Sequence, residues 1–460
     1  MVIKGRRRVG KSRLAEEFGK GKIFIAFTGL PPTEKSDEQT QLNNFSFQLS
    51  AYFKLPTHTF LNWGDAFNAL GSYLTEKTTV VLLDEISWMA GKNSNFLGYL
   101  KIWWDLNHLK FPQLIMVLCG SFSSWIEENI LKSTAFFGRI NLEITLPPLT
   151  LPECAEFLRQ NHVKGSVYDY YKILSVLGGI PWYLEQITHD HLAEWHINNL
   201  CFQPDGLLVH EFERIFHDLF GSQGSIYKKI IYSLRDGMKT QIEIRDSIDY
   251  AQSGTLGKLL HNLIISGFVT QHYQWNVSSG KIGRQSLYRI SDQYIRFYLK
   301  YIEPNLPLIQ QGVFDVREFV KLPGWDVIMG LQVESLLLQN RALLIDSLGI
   351  HGQDIVADNP YIQKSSSRKK GCQIDYLIQT NQRNLFVCEF KFNRREIGKE
   401  IITTMTDKLK ALSAPRGFAK IPVLFHSGDI NESVYSSNYF YRIIDISDFL
   451  DKQFDYTERD

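Results

Sequence analysis

Gly5-Arg6-Arg7-Arg8-Val9-Gly10-Lys11-Ser12 is the stretch on which the reading of this 460-residue chain turns. It fits the pattern G-x-x-x-x-G-K-[ST], and that pattern specifies a geometry. A short strand (Val2, Ile3) runs into a tight loop, and the loop opens a helix over Ser12 to Phe18. Backbone N–H groups along Gly5, Arg6, Arg7, Arg8, Val9 and Gly10 can then surround the phosphates of ATP, with the helix N-terminus adding partial positive charge. Lys11 is placed to reach the β- and γ-phosphates and the Ser12 hydroxyl to sit on Mg²⁺. A glycine- and arginine-rich turn would carry the same letters, so a partner motif is required.

Val80-Val81-Leu82-Leu83-Asp84-Glu85 provides one. Four apolar residues followed by two acids read as a buried parallel strand that ends at the carboxyl edge of a sheet, where open α/β sheets bind ligands. Asp84 is the metal-side acid, and Glu85 is the group that orients and activates the attacking water. A solvated helix start is the plainer reading of that acid pair, but it does not explain the order of the two motifs with a β-α-β stretch between them. A further strand, Leu114-Ile115-Met116-Val117-Leu118-Cys119, delivers Gly120-Ser121 to the same edge. Ser121 is placed either to sense the γ-phosphate or to cap the next helix. Arg139, ahead of the apolar stretch Ile140 to Leu146, is either an arginine finger toward a phosphate of its own or a neighbouring subunit, or one half of a surface salt bridge.

The bulk composition narrows the rest. Apolar residues make up 44% and charged residues 22%, as in a globular protein of several domains, and a net charge of +1 confines any nucleic-acid surface to a local patch. The five cysteines are scattered without C-x-x-C spacing, which argues against structural zinc and fits a reducing cytoplasm. No apolar run approaches the roughly eighteen residues of a membrane span, and Met1 to Arg8 lacks the apolar segment of a signal peptide. The expected location is therefore the cytoplasm, with no membrane partner.

Beyond the core at 1–148, residues 149–221 carry helical spacing and read as a helical lid. Residues 222–303 read as a winged helix-turn-helix. Its helices fall at Ile226 to Leu234, Ile242 to Ile248 and Ser253 to Leu263, and a hairpin runs from Gly267-Phe268-Val269-Thr270 to Leu287-Tyr288-Arg289-Ile290. As a DNA reader, this module would present Ser253, Thr255, Lys258, His261 and Asn262 from its third helix, with Lys281 and Arg284 on the wing. That is a thin basic supply, and a spacer or protein-contact module is the favoured reading.

The chain resembles the archaeal-type ATPase family, in the AAA+/STAND region of the P-loop NTPases. The resemblance rests on GRRRVGKS, VVLLDEIS, LIMVLCGS, FFGRI with LPPLTLPECAEFL, and GGIPWYL, and covers about the first 200 residues. It implies that Pro181, in Gly179-Ile180-Pro181, lies in the lid and touches the nucleotide; a helix break explains the same letters. It also implies a segment with G-R-E-x-E ahead of the loop that contacts adenine, whereas this sequence starts at the loop's strand, as a truncated or mis-started frame would.

Tyr288 to Tyr298 resembles the junction that joins such ATPases to a C-terminal domain related to PD-(D/E)xK nucleases, here 304–460. Gln373 to Ile378 and Leu385 to Lys391 read as paired strands around a polar turn. Residues two apart in a strand share a face, so Glu389 and Lys391 point the same way and Asp375 can face them. Asp375 and Glu389 could hold a divalent metal, with Lys391 orienting water or stabilising developing charge. The resemblance assigns Glu334 as the acid on the preceding helix. Ordinary polar residues on a hairpin, or a relic of the fold without activity, are the plainer readings. The basic loop Ser365 to Lys370 could hold a DNA backbone or be a solvated hairpin tip.

The expected fold is thus α/β: a P-loop parallel sheet with helical lid, a winged helix and a restriction-endonuclease-like C-terminal α/β domain. The expected function is an ATPase that couples nucleotide state to a nucleic-acid-directed, nuclease-like domain. The alternative is a STAND-type ATP-dependent switch whose C-terminal domain is an inactive protein-interaction module. DNA and a second copy of the chain stay open as partners.

Overall fold

In the computed structural model, residues 1–451 are described except 32–36, 92, 94, 122, 251–252, 315, 317–318, 368–369 and 393. Arg368 and Lys369 of the basic loop lie outside the described residues. The chain forms two compact units. The first comprises Met1–Pro148, Glu213–Lys228 and Lys258–Gly267, and the second Leu149–Phe212, Lys229–Gly257 and Phe268–Asp460.

The first unit is built on five parallel strands: β1 (Val2–Gly5), β2 (Ile23–Thr28), β3 (Thr79–Asp84), β4 (Leu114–Gly120) and β5 (Glu143–Leu146). Their order is β2-β3-β4-β1-β5. β3 is buried along its whole length, which explains its unbroken apolar run. Alternate residues face opposite layers. Val80 and Leu82 join Ile3, Ala15, Val117 and Cys119. Val81 and Leu83 join a larger, aromatic core. In that core Trp63 meets Phe96 edge-on at 4.7 Å between ring centres, and Phe45 stacks on Phe27 at 4.2 Å. Asp37 and Asn62 cap two of the helices that supply these rings, Glu38–Phe53 and Trp63–Gly71, by accepting from the N–H groups of Thr40 and Asp65.

The second unit starts with the helices Leu151–Gln160 and Val167–Leu177, each opened by a capping box (Thr150 with Glu153, Ser166 with Asp169). A three-stranded antiparallel sheet follows, β6 (Lys239–Thr240), β7 (Val269–Trp275) and β8 (Ile282–Ile290), in the order β6-β8-β7. The helix Trp325–Gln339 then precedes a mixed sheet of β9 (Ile355–Gln363), β10 (Cys372–Thr380), β11 (Asn384–Phe392), β12 (Ala419–Ser427) and β13 (Arg442–Asp445). β9, β10 and β11 pair antiparallel, and β11, β12 and β13 pair parallel, with the helix Glu400–Ala411 as the crossover. Helices stand at Gly224–Ser233, Gln241–Ser247 and Ser253–Ile265, close to the spans read from the sequence.

Phe67 is fully buried against Phe45, Trp63, Phe96 and Trp103. Phe67→Ala should cost the first unit about 3–5 kcal/mol. Urea unfolding followed by circular dichroism tests this, and a midpoint equal to that of the wild type would show that the cluster does not carry the unit.

Candidate functional site

The loop after β1 is shaped by positions that side chains resist. Gly5 has φ +152°, and a Cβ there would lie 2.4 Å from the Leu146 carbonyl oxygen. Gly10 has φ +95°, and Arg8, with φ 70°, occupies the left-handed region in spite of its side chain. The helix Lys11–Gly19 starts directly from this turn. Arg6 is buried, and Arg7 pairs with Asp218 at 2.7 Å.

Lys11 is nearly buried. Its ammonium donates to the carbonyls of Gly5 (3.2 Å) and Arg6 (3.0 Å) and to Ser121 Oγ (3.0 Å). Burial pushes its pKa down, opposed by neighbouring acids that include Glu85 and Asp84. Ser121 in turn donates to Glu85, from its hydroxyl to Oε1 (2.7 Å) and from its backbone N–H to Oε2 (3.1 Å). The Ser121 side chain is thus used on the acid. Glu85 is held out of β3 by a left-handed φ of 49°. Ser12 donates to Asp84 Oδ2 at 2.5 Å, and Asp84 Oδ1 accepts the Glu85 N–H at 2.9 Å. Two hard oxygen donors side by side suit Mg²⁺, so the residues present fit the ion.

Arg139 takes the salt-bridge alternative. Its guanidinium grips Asp105 through two N–H groups at 2.7 and 2.9 Å and the Ala135 carbonyl at 3.1 Å. Arg139 and then Lys101 hold the Asp105 carboxyl down at about 2. Pro181 lies in the second unit, at the first turn of the short helix Pro181–Leu184.

Three polar side chains of the helix Ser253–Ile265 are engaged within the first unit. Lys258 pairs with Glu128 at 3.0 Å, His261 approaches Glu127 at 3.7 Å, and the buried Asn262 donates to Tyr227 at 2.7 Å.

In the second unit, β10 and β11 bring Asp375, Glu389 and Lys391 together. Lys391 Nζ lies 2.9 Å from Glu389 Oε1, and Asp375 Oδ2 accepts the Phe390 N–H at 2.9 Å. A fourth member, absent from the sequence reading, is Lys408 on the crossover helix. Its ammonium bonds Glu389 and lies 3.4 Å from Asp375 Oδ1. Burial first and then the Glu389 charge push Asp375 from an ordinary 3.8 up to about 6, while Lys408 opposes them. Lys408 has its own pKa raised: burial works against its charge, and Asp375 and Glu389 outweigh that. Glu334 is committed elsewhere, 2.5 Å from Arg289. Among the described residues no cluster of three or more His, Cys, Asp or Glu could hold a metal. As arranged, the Lys408 ammonium takes the place of a cation between the two carboxylates, so the pair does not fit a metal without Lys408 moving away.

No protein-family profile matches the chain. An uncharacterized protein of Methanocaldococcus jannaschii, MJECL04, is 27% identical over 320 residues, covering 69% of this chain and 67% of that one. Among solved structures, a Walker-type ATPase of Pyrococcus abyssi is 16% identical with a TM-score of 0.43, covering 65% of this chain and 90% of the other. The ORC2 protein of Aeropyrum pernix in its ADPNP–ADP complexes is 16% identical with a TM-score of 0.40, covering 67% and 87%. AMPPCP-bound DnaA of Aquifex aeolicus is 14% identical with a TM-score of 0.28, covering 57% and 81%. The five parallel strands, with the phosphate-type loop between β1 and its helix, give the first unit the α/β P-loop fold. No helix among the described residues is long and apolar enough to cross a membrane.

Two titrations follow from these contacts. Asp105 has a depressed pKa, so its contribution to stability is present above the ordinary carboxylate value and lost as pH falls through about 2. Asp375 has a raised pKa, so its contribution runs the other way, and stability falls as pH rises from 3.8 to about 6. Lys408→Met should move Asp375 above 6, read by carboxyl ¹³C NMR; an unchanged or lower value would mean that Lys408 does not stabilise the charged form.

Proposed function

We propose that the chain binds ATP with Mg²⁺ in its first unit and hydrolyses it there, and that the second unit is a nuclease-like, nucleic-acid-directed domain whose state follows the nucleotide. The observation that carries the ATPase reading is the continuous path Lys11–Ser121–Glu85 beside the Ser12–Asp84 pair, at the carboxyl edge of a parallel sheet. Lys11 exchanges its two carbonyl contacts for oxygens of the β- and γ-phosphates, and Gly5 to Gly10 supply backbone N–H groups. Ser12 and Asp84 hold Mg²⁺, which when bound supplies charge neutralisation at the phosphates. Glu85 accepts a proton from the attacking water, and Ser121 keeps its carboxylate aimed. Arg139 and Pro181 are peripheral in this proposal, Arg139 becoming available only by release from Asp105.

For the second unit, support comes from an α-β-β-β-α-β succession with Asp375, Glu389 and Lys391 gathered on adjacent strands. In the cleaving role, Glu389 and Asp375 would receive the metal after Lys408 withdraws, and Lys391 would stabilise charge on the phosphodiester. A second reading has its own observation. Lys408 neutralises both carboxylates and Arg289 holds Glu334, as expected of an inactive domain that serves an ATP-dependent switch. The division 1–148, 149–221, 222–303 and 304–460 is proposed as core, lid, winged helix and nuclease-like domain.

Lys11→Ala should abolish ATP binding in equilibrium dialysis; retained affinity would refute the assignment of the loop. Glu85→Gln should keep binding and lower the rate of phosphate release by about 10²–10⁴-fold. Joint loss of both would make Glu85 structural. Plasmid DNA incubated with Mg²⁺ or Mn²⁺, with and without ATP, should be cut by the wild-type chain and not by Glu389→Gln. Absence of cutting in every condition decides for the switch.

A further inference from the structure

The two acids on β10 and β11 each have one oxygen already engaged. Glu389 Oε1 lies 2.9 Å from the Lys391 ammonium, and Asp375 Oδ2 accepts the Phe390 N–H at 2.9 Å. The other two oxygens, Glu389 Oε2 and Asp375 Oδ1, both go to Lys408, which bonds the first and stands 3.4 Å from the second. A cation bridging the two carboxylates would use those same two oxygens. The Lys408 ammonium therefore stands in the position of that cation, and it arrives from outside the sheet, on the helix Glu400–Ala411.

Charge makes the two occupants exclusive. In their ionised forms, two carboxylates face two ammoniums, so the cluster is neutral as it stands. A divalent ion set between Asp375 and Glu389 with Lys408 still in place would bring like charges into contact. Glu389 is 2% exposed, so little water is at hand to screen that repulsion.

The helix that carries Lys408 is itself held down. Its Ile401 and Met405 are buried in the core beneath it, as is Leu412 directly after it. The carbonyls at its end are taken by side chains: Lys420 Nζ donates to those of Leu409 (2.7 Å) and Leu412 (2.6 Å), and Gln363 Nε2 to that of Ala411 (2.8 Å). Thr406 adds a bond to the Tyr439 hydroxyl at 2.9 Å. The Lys408 side chain, by contrast, keeps 21% of its surface exposed. Its flexible four-carbon stem can turn the ammonium into water without any movement of the backbone. Leaving the acid pair costs the side chain less than it costs the helix.

We infer that Lys408 is a tethered competitor for a divalent ion: its side chain plugs the Asp375–Glu389 pair, and an ion enters only as that side chain swings out while the helix stays docked. This rests on the metal-binding reading of the two acids given above and adds what regulates them.

The test reads Mn²⁺ binding by electron paramagnetic resonance of the free ion, in the full chain without nucleotide and in mildly alkaline buffer. Ion held at the loop of Lys11 is subtracted by repeating each measurement in a Glu389→Gln background. Lys408→Met should show a Glu389-dependent site at least about tenfold tighter than that of the wild type. Lys408→Gln, which can still donate to the carboxylates, should show the same gain and serves if the methionine variant does not fold. Lys410→Met removes the same charge from an exposed position of the helix and should leave the affinity unchanged. With Mn²⁺ bound to the wild type, the amides of Glu400–Ala411 should keep their protection against hydrogen exchange. Equal Glu389-dependent affinities in the wild type and the folded Lys408 variants, an equal gain in Lys410→Met, or loss of that protection overturns the plug and leaves the metal-binding reading intact. Absence of a Glu389-dependent site from the wild type and the Lys408 variants alike overturns the plug together with that reading.

Discussion

A buried ammonium is the constraint on which the first unit depends. Lys11 sits where charge is costly, and it is tolerated because two loop carbonyls and Ser121 surround it. That arrangement dictates the loop. Its carbonyls turn inward only with the positive φ values at Gly5, Arg8 and Gly10, and Gly5 must pass close to Leu146 on β5. It also ties the ends of three strands together, since β1 leads into the loop, β4 delivers Ser121, and β3 delivers the two acids that Ser121 and Ser12 engage. A triphosphate would have to draw Lys11 from its two loop carbonyls, with Ser121 and the adjacent Ser12–Asp84 pair already at the same edge.

The second unit solves the opposite electrostatic problem. Glu389 is buried and Asp375 partly buried on the neighbouring strand, and the Glu389 charge makes ionisation of Asp375 harder. Lys408 relieves the conflict from the crossover helix, while Lys391 contacts Glu389 from the same strand. This balance is why the site admits two descriptions. A lysine between carboxylates is either an internal counter-ion that a metal displaces or a permanent replacement for one. Arg289 belongs to the same economy of charge. It binds Glu334 at 2.5 Å.

The P-loop α/β fold of the first unit was legible because its signals are local, and so is the spacing that brings the candidate site residues together. Glycine spacing around Lys11, the apolar run of β3 before Asp84 and the period-two placement of Glu389 and Lys391 each encode geometry within a few residues. What escaped was carried by long-range pairing. Lys408 is 33 residues from Asp375 and lies in a helix where a lysine is ordinary. Asp105 claims Arg139 from 34 residues away, and Arg289 claims Glu334 from 45. No periodicity announces such partners. Likewise, Lys258 and His261 look available for DNA as letters on a helix and are occupied by Glu128 and Glu127 once the chain folds.

The most direct test of the central claim is single-turnover hydrolysis of Mg²⁺-ATP by the full chain and by Ser121→Ala, with nucleotide affinity measured on the same samples. The account predicts that the variant binds ATP with nearly wild-type affinity and releases phosphate at least about tenfold more slowly, because Glu85 loses the hydroxyl that aims it. Equal rates in the two proteins would contradict the path from Lys11 through Ser121 to Glu85 as the working centre of the molecule.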